Sequence, residues 1–290
     1  MDHLPTDSEA KIFRKFSVKE FGIETPTFVN EIDPLLDHLE WDLFDVRSQH
    51  FNALQHAYPQ KRVKLQSTFP EYYSGQIEFE EWVISSVGSV SDDIYERLAT
   101  ISPFRKRAMS QFSVQFDHSN PNITRKDASP YIQDDIGKYT RSLPRSYPES
   151  PEKIIQNPSV LRLVEEFSSL IKKIRPETEK LTVKVHPTSV VCRPSQQSKP
   201  SLEGIHSDGA DYIVSALVVS RKGIVGGESI VYDNDRKTEL LRTLLQPGEG
   251  IFQNDKHLFH DVTPIAKQKS SEGTEGIRNM IGFDFILENE

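Results

Sequence analysis

The stretch Gly204-Ile205-His206-Ser207-Asp208-Gly209 sets an imidazole two residues ahead of a carboxylate. Alternate side chains of an extended strand share a face, so His206 and Asp208 are expected to project together as two ligands for a divalent metal. A third ligand must come from another segment, and Phe259-His260-Asp261-Val262-Thr263-Pro264 carries a candidate. His257 competes with it. Positions three apart on a strand face opposite ways, so at most one of the two reaches the metal. Two imidazoles and one carboxylate on one face of a metal leave the other face open, an arrangement that lets ferrous iron meet dioxygen. Four protein ligands would close it. Arg278, just ahead of the apolar run Met280 to Ile286, adds a guanidinium able to grip a carboxylate two-pronged.

The elements that would position these groups follow from periodicity. Gln111–Phe116, Leu181–His186, Val190–Arg193, Tyr212–Val219, Ser229–Tyr232, His257–Val262 and Asn279–Leu287 read as strands, with Leu240–Leu245 a strand or short helix. Gly226-Gly227 and Gln246-Pro247-Gly248-Glu249-Gly250 read as turns between them. About eight short strands separated by turn signals fit a jelly roll, a cupin-like double-stranded β-helix. A parallel α/β fold is disfavoured because helices do not alternate with these strands. The fold class is therefore mainly β with flanking helices.

Ahead of the strands, Asp33-Pro34 is an N-cap and first-turn signal for a helix running to about Leu54. A second helical stretch covers about Ile77–Thr100, interrupted near Gly88. Residues 1–100 are expected to form an N-terminal helical region packed on the core, and 101–290 the double-stranded β-helix domain. Trp41 and Trp82 read as core or as a seam against the sheet. Tyr131-Ile132-Gln133 is expected as another short strand, Pro144–Pro158 as a connector, and Leu161–Ile174 as a helix ended by Pro176.

Composition narrows the class. The 290 residues are 36% hydrophobic and 27% charged, an ordinary globular balance. A net charge of −8 disfavours nucleic acid as a partner, and Arg105-Lys106-Arg107 is too short a basic run to make a groove. Cys192 is the sole cysteine, so no internal disulfide forms. The N-terminal residues lack a signal-peptide pattern and no apolar run approaches a membrane span, so a cytoplasmic protein without a membrane partner is expected.

Taken together, Gly204-Ile205-His206, Asp208-Gly209-Ala210-Asp211-Tyr212, Gly226-Gly227-Glu228-Ser229, His260-Asp261-Val262-Thr263-Pro264-Ile265 and Arg278-Asn279 resemble the bacterial L-isoleucine dioxygenase family and its fungal relatives. The resemblance spans roughly residues 100–288 and is strongest over 203–283. It implies an oxygenase of free amino acids that uses Fe(II), 2-oxoglutarate as cosubstrate and O2. It further implies that His206, Asp208 and His260 hold the iron, and that Arg278, helped by Thr263, binds the far carboxylate of 2-oxoglutarate.

A free amino acid carries two opposite charges, and its pocket needs partners for both. Arg105 or Arg107 is a candidate for its carboxylate, and Tyr131, Gln133 and Glu203 are candidate polar contacts. His118 and His186 read as structural or exposed histidines, and Asp211 as a residue turned away from the metal. The expected activity is hydroxylation, or another C–H oxidation such as desaturation or ring closure, of a small aliphatic or cyclic L-amino acid. The alternatives are an oxygenase of peptide, protein or carrier-bound residues and a non-catalytic metal-binding jelly roll. Oligomeric state is not set by this sequence.

Overall fold

Thirteen strands run through the described chain: β1 (Phe13–Ser17), β2 (Arg105–Arg107), β3 (Ser110–Asp117), β4 (Asn120–Lys126), β5 (Lys180–Cys192), β6 (Tyr212–Lys222), β7 (Ile224–Gly226), β8 (Ser229–Tyr232), β9 (Glu239–Thr243), β10 (Glu249–Asn254), β11 (Phe259–Val262), β12 (Ile265–Lys267) and β13 (Gly276–Glu288). The computed structural model describes residues 12–118, 120–132, 139–140, 142–194, 198, 200, 204–269, 273 and 275–288. The main antiparallel sheet runs β1-β10-β6-β13-β5-β3-β4, with β2 beside β5. A second sheet runs β11-β8-β9, and β12 pairs with β7. Antiparallel sheets whose neighbours are distant in sequence, with helices flanking them, make the mainly β jelly-roll core that the strand pattern predicts.

The two faces of the main sheet have opposite characters, and β13 shows why. Ile281, Phe283 and Phe285 are wholly buried in the apolar core. The alternate residues Arg278, Met280, Gly282 and Asp284 line a cleft on the other face, as a two-residue side-chain period requires. On β5, Val183 and Val185 join the core while His186, Thr188 and Val190 line the cleft.

The apolar face is covered by the helix Pro158–Ile174. Asn157 caps it, its side chain accepting from the Ser159 amide at 2.9 Å, and Pro158 opens the first turn. Val160, Leu163, Val164, Phe167 and Ile171 form its buried stripe. Phe167 stacks on Phe252 of β10, centroids 5.4 Å apart, and packs against Phe285 at 6.1 Å.

By contact the chain divides into two units. One comprises the described residues up to Glu40, Arg105–Ala128 and those from Pro148 onward; the other is Trp41–Phe104 with Ser129–Tyr147. The N-terminal hundred residues, expected as one helical region, are therefore shared. The reason is β1, whose backbone pairs with β10 from Phe13↔Gln253 to Ser17↔Glu249. The second unit packs the helices Leu43–Ala57, Arg62–Ser74, Phe79–Ser86 and Asp92–Ala99 around Phe51, Leu54, Phe69, Trp82 and Leu98. Trp82 is core, but Trp41 is 36% exposed.

Other local expectations are corrected. The helix expected from Asp33 begins instead at Thr25 and ends at Leu36, with Pro34 in its last turn. A separate helix starts at Leu43, capped by Asp42. The leucine stripe read across the break between them. Phe79–Ser86 and Asp92–Ala99 do part near Gly88, whose φ is +89°. Tyr131 makes only an isolated bridge to Arg145, and Pro187 sits inside β5 rather than dividing it. No described helix is long and apolar enough to cross a membrane.

Candidate metal centre

His206 and His260 meet backbone to backbone. The His206 amide donates to the His260 carbonyl at 3.0 Å, and the reverse bond is 2.8 Å. This isolated bridge, not a continuous strand, positions His206. The segment Gly204–Asp211 is a loop, with Gly204 at φ +75° and Gly209 at φ +88°, so the extended-strand reading of His206 and Asp208 is corrected. Their side chains converge all the same. His206 Nε2 lies 3.6 Å from Asp208 Oδ1, and His260 Nε2 lies 3.5 Å from Asp208 Oδ2. One ligand atom from each of the three lies within 4.8 Å of the others.

The imidazoles are oriented by what stands behind them. His206 Nδ1 lies 2.8 Å from the Gly204 carbonyl, which can only accept. Nδ1 therefore carries a proton, and Nε2 turns toward Asp208. Behind His260, Nδ1 lies 3.9 Å from Asp255 Oδ1. The other Asp255 oxygen accepts the amides of Asp208, Gly209 and Ala210 at 2.8, 2.7 and 3.2 Å. One buried carboxylate thus ties the Asp208 loop and backs an imidazole, a supporting role common behind metal-ligating histidines. Burial, then the nearby charge of Asp208, pushes Asp255 well above the usual carboxylate range, against the pull of the Gly209 amide. For Asp208 itself, burial acts upward and is overcome by His260 and His206, which hold the carboxyl far below its usual range.

The same cleft contains Arg278, wholly buried on β13. Its Nη1 donates to Met280 Sδ at 2.9 Å, while Nε and Nη2 have no hydrogen-bond partner among the described residues. Its partner in the β13–β6 register is another guanidinium, Arg221. Burial first, and then Arg221, pushes Arg278 down to about 10. A buried cation left in this state is the complement of an anionic ligand. Gly226 and Gly227 shape the neighbouring turn. A Cβ on Gly226 would sit 2.2 Å from the Pro264 carbonyl oxygen, and one on Gly227 would sit 2.8 Å from Ile265 Cγ2. With φ near +78° and +75° both positions demand glycine.

The remaining expected residues fall in different places. Arg105 and Arg107 line the cleft. Arg105 Nη1 donates to the Pro200 carbonyl at 3.3 Å, and Arg107 Nη2 meets His186 Nδ1 at 3.2 Å. Thr263 does not line the cleft; its hydroxyl accepts the Glu228 amide at 2.9 Å. Tyr131 belongs to the helical unit, where it is buried beneath the Arg145 guanidinium. Gln133 and Glu203 lie outside the described residues. His257 is half-buried in the turn before β11, and His118 is exposed beside Asp117. Asp211 accepts the Leu287 amide at 2.8 Å and pairs with Lys256.

Two groups escaped the sequence reading. Asp255 carried no signal, being one acid in a turn. His186 reads in the sequence as a lone structural or exposed histidine, yet it is buried in the cleft wall with Nε2 at 2.7 Å from Asp284 Oδ2. Its partners come from β13 and β2, which only the strand register brings alongside.

The donor set suits ferrous iron. Two imidazole nitrogens and one carboxylate oxygen converge, and all three residues line the cleft. The orphaned guanidinium of Arg278 suits a carboxylate-bearing cosubstrate in the same cleft. Comparisons with known proteins agree with this chemistry. A crystal structure of a bsmA homolog from Methylobium petroleophilum PM1 superposes with a TM-score of 0.65 at 15% identity, covering 95% of this chain and 88% of that one. The structure of IDO from Bacillus thuringiensis gives 0.61 at 15% identity over 100% and 98% of the two chains. The Fe(II)/α-ketoglutarate-dependent dioxygenase TqaL gives 0.50 at 15% identity over 82% and 91%. At such identities the likeness is one of fold. A search of curated protein sequences finds no match. The model of the 2OG-Fe dioxygenase family, however, matches residues 90–284. The chain belongs to that family of enzymes, which use Fe(II), 2-oxoglutarate and O2.

Proposed function

We propose that this enzyme oxidises a C–H bond of a free small aliphatic or cyclic L-amino acid, with release of succinate and CO2. In this reading His206, Asp208 and His260 hold the iron and Arg278 binds the far carboxylate of 2-oxoglutarate. The observation that carries it is the sharing of one cleft: three convergent ligand atoms, a buried guanidinium with unsatisfied N–H groups, and further charged side chains of both signs.

Iron with 2-oxoglutarate and O2 supplies the oxidant, coupling decarboxylation of the cosubstrate to removal of hydrogen from the substrate. The chain's own residues bind and orient. Asp255 holds the Asp208 loop through three amides, which keeps the carboxylate in place without a helix or strand beneath it. The Gly204 carbonyl sets the His206 tautomer. Arg278 is held by burial on β13, so a carboxylate that meets it exchanges water for a rigid two-pronged donor. Val190 and Val262 supply apolar wall to the cleft, which favours an aliphatic side chain over a charged one.

Incubation with Fe(II), ascorbate, 2-oxoglutarate and a panel of free amino acids tests the reading. Succinate is expected together with a product heavier by one oxygen atom, or lighter by two hydrogens if the substrate radical is diverted to desaturation or ring closure. Succinate formation with peptide-linked residues but with no free amino acid would overturn it.

A further inference from the structure

The wall of the same cleft carries an arrangement that the chemistry above does not use. Arg107 Nη2 lies 3.2 Å from His186 Nδ1, and His186 Nε2 lies 2.7 Å from Asp284 Oδ2. A guanidinium only donates, so Nδ1 accepts and the ring proton sits on Nε2, donated to Asp284. A neutral imidazole thus stands between a cation and an anion and keeps them from collapsing into a direct pair. All three side chains line the cleft that contains His206, Asp208 and His260.

We propose that Arg107 and Asp284 form a clamp for the two charges of an α-amino acid, Arg107 taking the carboxylate and Asp284 the ammonium, with His186 as the positioning residue that sets their separation. This rests on the reading of the substrate as a free amino acid and names the residues that would select it. The separation fits: cation and anion stand one ring and two hydrogen bonds apart. An α-amino acid, whose two charged groups share one carbon, needs a hydrogen bond at each end of a path of similar length. Space is present as well. Gly282, the register partner of His186, faces the cleft without a side chain. A Cβ there would stand 3.7 Å from the imidazole Cβ and from the Val214 carbonyl oxygen. Asp284 is buried and Arg107 half-buried in this wall, so a charged group that reaches either one meets it with little competing water. The two make a good receptor for a zwitterion, whose own charges are desolvated in the same step.

Lys184, buried on the same face of β5, also feels the charge of Asp284. A role for Asp284 as counterion to Lys184 alone is the competing reading, and it makes a different prediction. The full-length protein, loaded anaerobically with Fe(II) and 2-oxoglutarate, is titrated by calorimetry with L-leucine, L-isoleucine, L-valine and L-proline. Each is run beside its des-amino acid and its methyl ester. In the wild type, loss of either charge is expected to weaken binding about tenfold or more. Asp284→Asn should weaken the free amino acid by a similar factor and leave the des-amino acid unchanged. Arg107→Gln should weaken the free amino acid and leave the ester unchanged. Unchanged binding of 2-oxoglutarate to each variant checks that the cleft is intact. Should Asp284→Asn weaken amino acid and des-amino acid alike, or neither, the clamp is overturned and the counterion role stands. Wild-type ester or des-amino acid binding as tightly as the free amino acid overturns it without any variant. If no amino acid binds the wild type at all, the substrate class falls together with the clamp.

Discussion

His50 in the helical unit and His186 in the sheet unit are both buried, and burial lowers the pKa of each. Both use both ring nitrogens. His50 Nδ1 lies 2.6 Å from the Tyr72 hydroxyl and Nε2 lies 3.2 Å from the Leu98 carbonyl. Tyr72 in turn stacks on Trp82, centroids 4.6 Å apart with 7° between the rings. Every partner of His50 is neutral and the surroundings are packed aromatic rings. His186 instead stands between a guanidinium and a carboxylate in the wall of a cleft. Burial and a depressed pKa therefore do not separate a structural histidine from a functional one. The charge of the partners and the presence of a cleft do.

The comparison can be broken or sharpened by substitution. The largest effect is expected on the cleft side. Asp208→Ala should remove one of the three proposed ligands and reduce turnover to background, with loss of Fe(II) binding measured anaerobically. Arg278→Gln should raise the half-saturating 2-oxoglutarate concentration by at least about thirtyfold while iron affinity is retained; an unchanged requirement would remove Arg278 from the cosubstrate site. Asp255→Asn should weaken metal affinity by about ten- to a hundredfold, since it supports rather than ligates. Direct metal titration separates this from a loss of fold. In the helical unit His50→Phe should lower stability by about 1–3 kcal/mol in urea unfolding, leaving turnover per folded molecule unchanged. Reduced turnover in that variant would erase the distinction drawn between the two histidines.

The smallest effect is expected at Asp33, in the helix Thr25–Leu36 of the sheet unit. It pairs with Lys222 at 2.6 Å and accepts from Asn279 at 2.8 Å and from Ser220. Burial acts to raise its pKa, and these partners overcome it, so the carboxyl titrates below its usual range. A depressed folded-state pKa stabilises above the unfolded value, and that stability is lost as pH falls through the folded one. Unfolding of Asp33→Asn should therefore differ from wild type near neutral pH, with the gap closing in acid.

The legibility of the chain followed the range of the interactions. Strand alternation at Gln111–Phe116 marked β3, and the apolar run Tyr212–Val219 marked β6 as an inner strand, which is buried along nearly its whole length. The helix signal at Asp33-Pro34 misled, since the proline that opens this helix is Pro26, beside its true start at Thr25, and Pro34 falls in the last turn. His206 and Asp208 were readable as neighbours, but the reason offered, a shared strand face, was not the one at work. A glycine-flanked loop pinned by Asp255 brings them together.

The sequence by itself determined the chemical inventory: two imidazoles, a nearby carboxylate, a late arginine and enough alternating strands to form a jelly roll. These are statements about residue type and short spacing, and such spacing is preserved whatever the rest of the chain does. Only the tertiary structure decided that Asp255 stands behind His260 and that Arg107, His186 and Asp284 meet in the wall of one cleft. Those groups lie on separate strands or turns, and antiparallel register, which depends on every pairing in the sheet at once, is what sets them side by side.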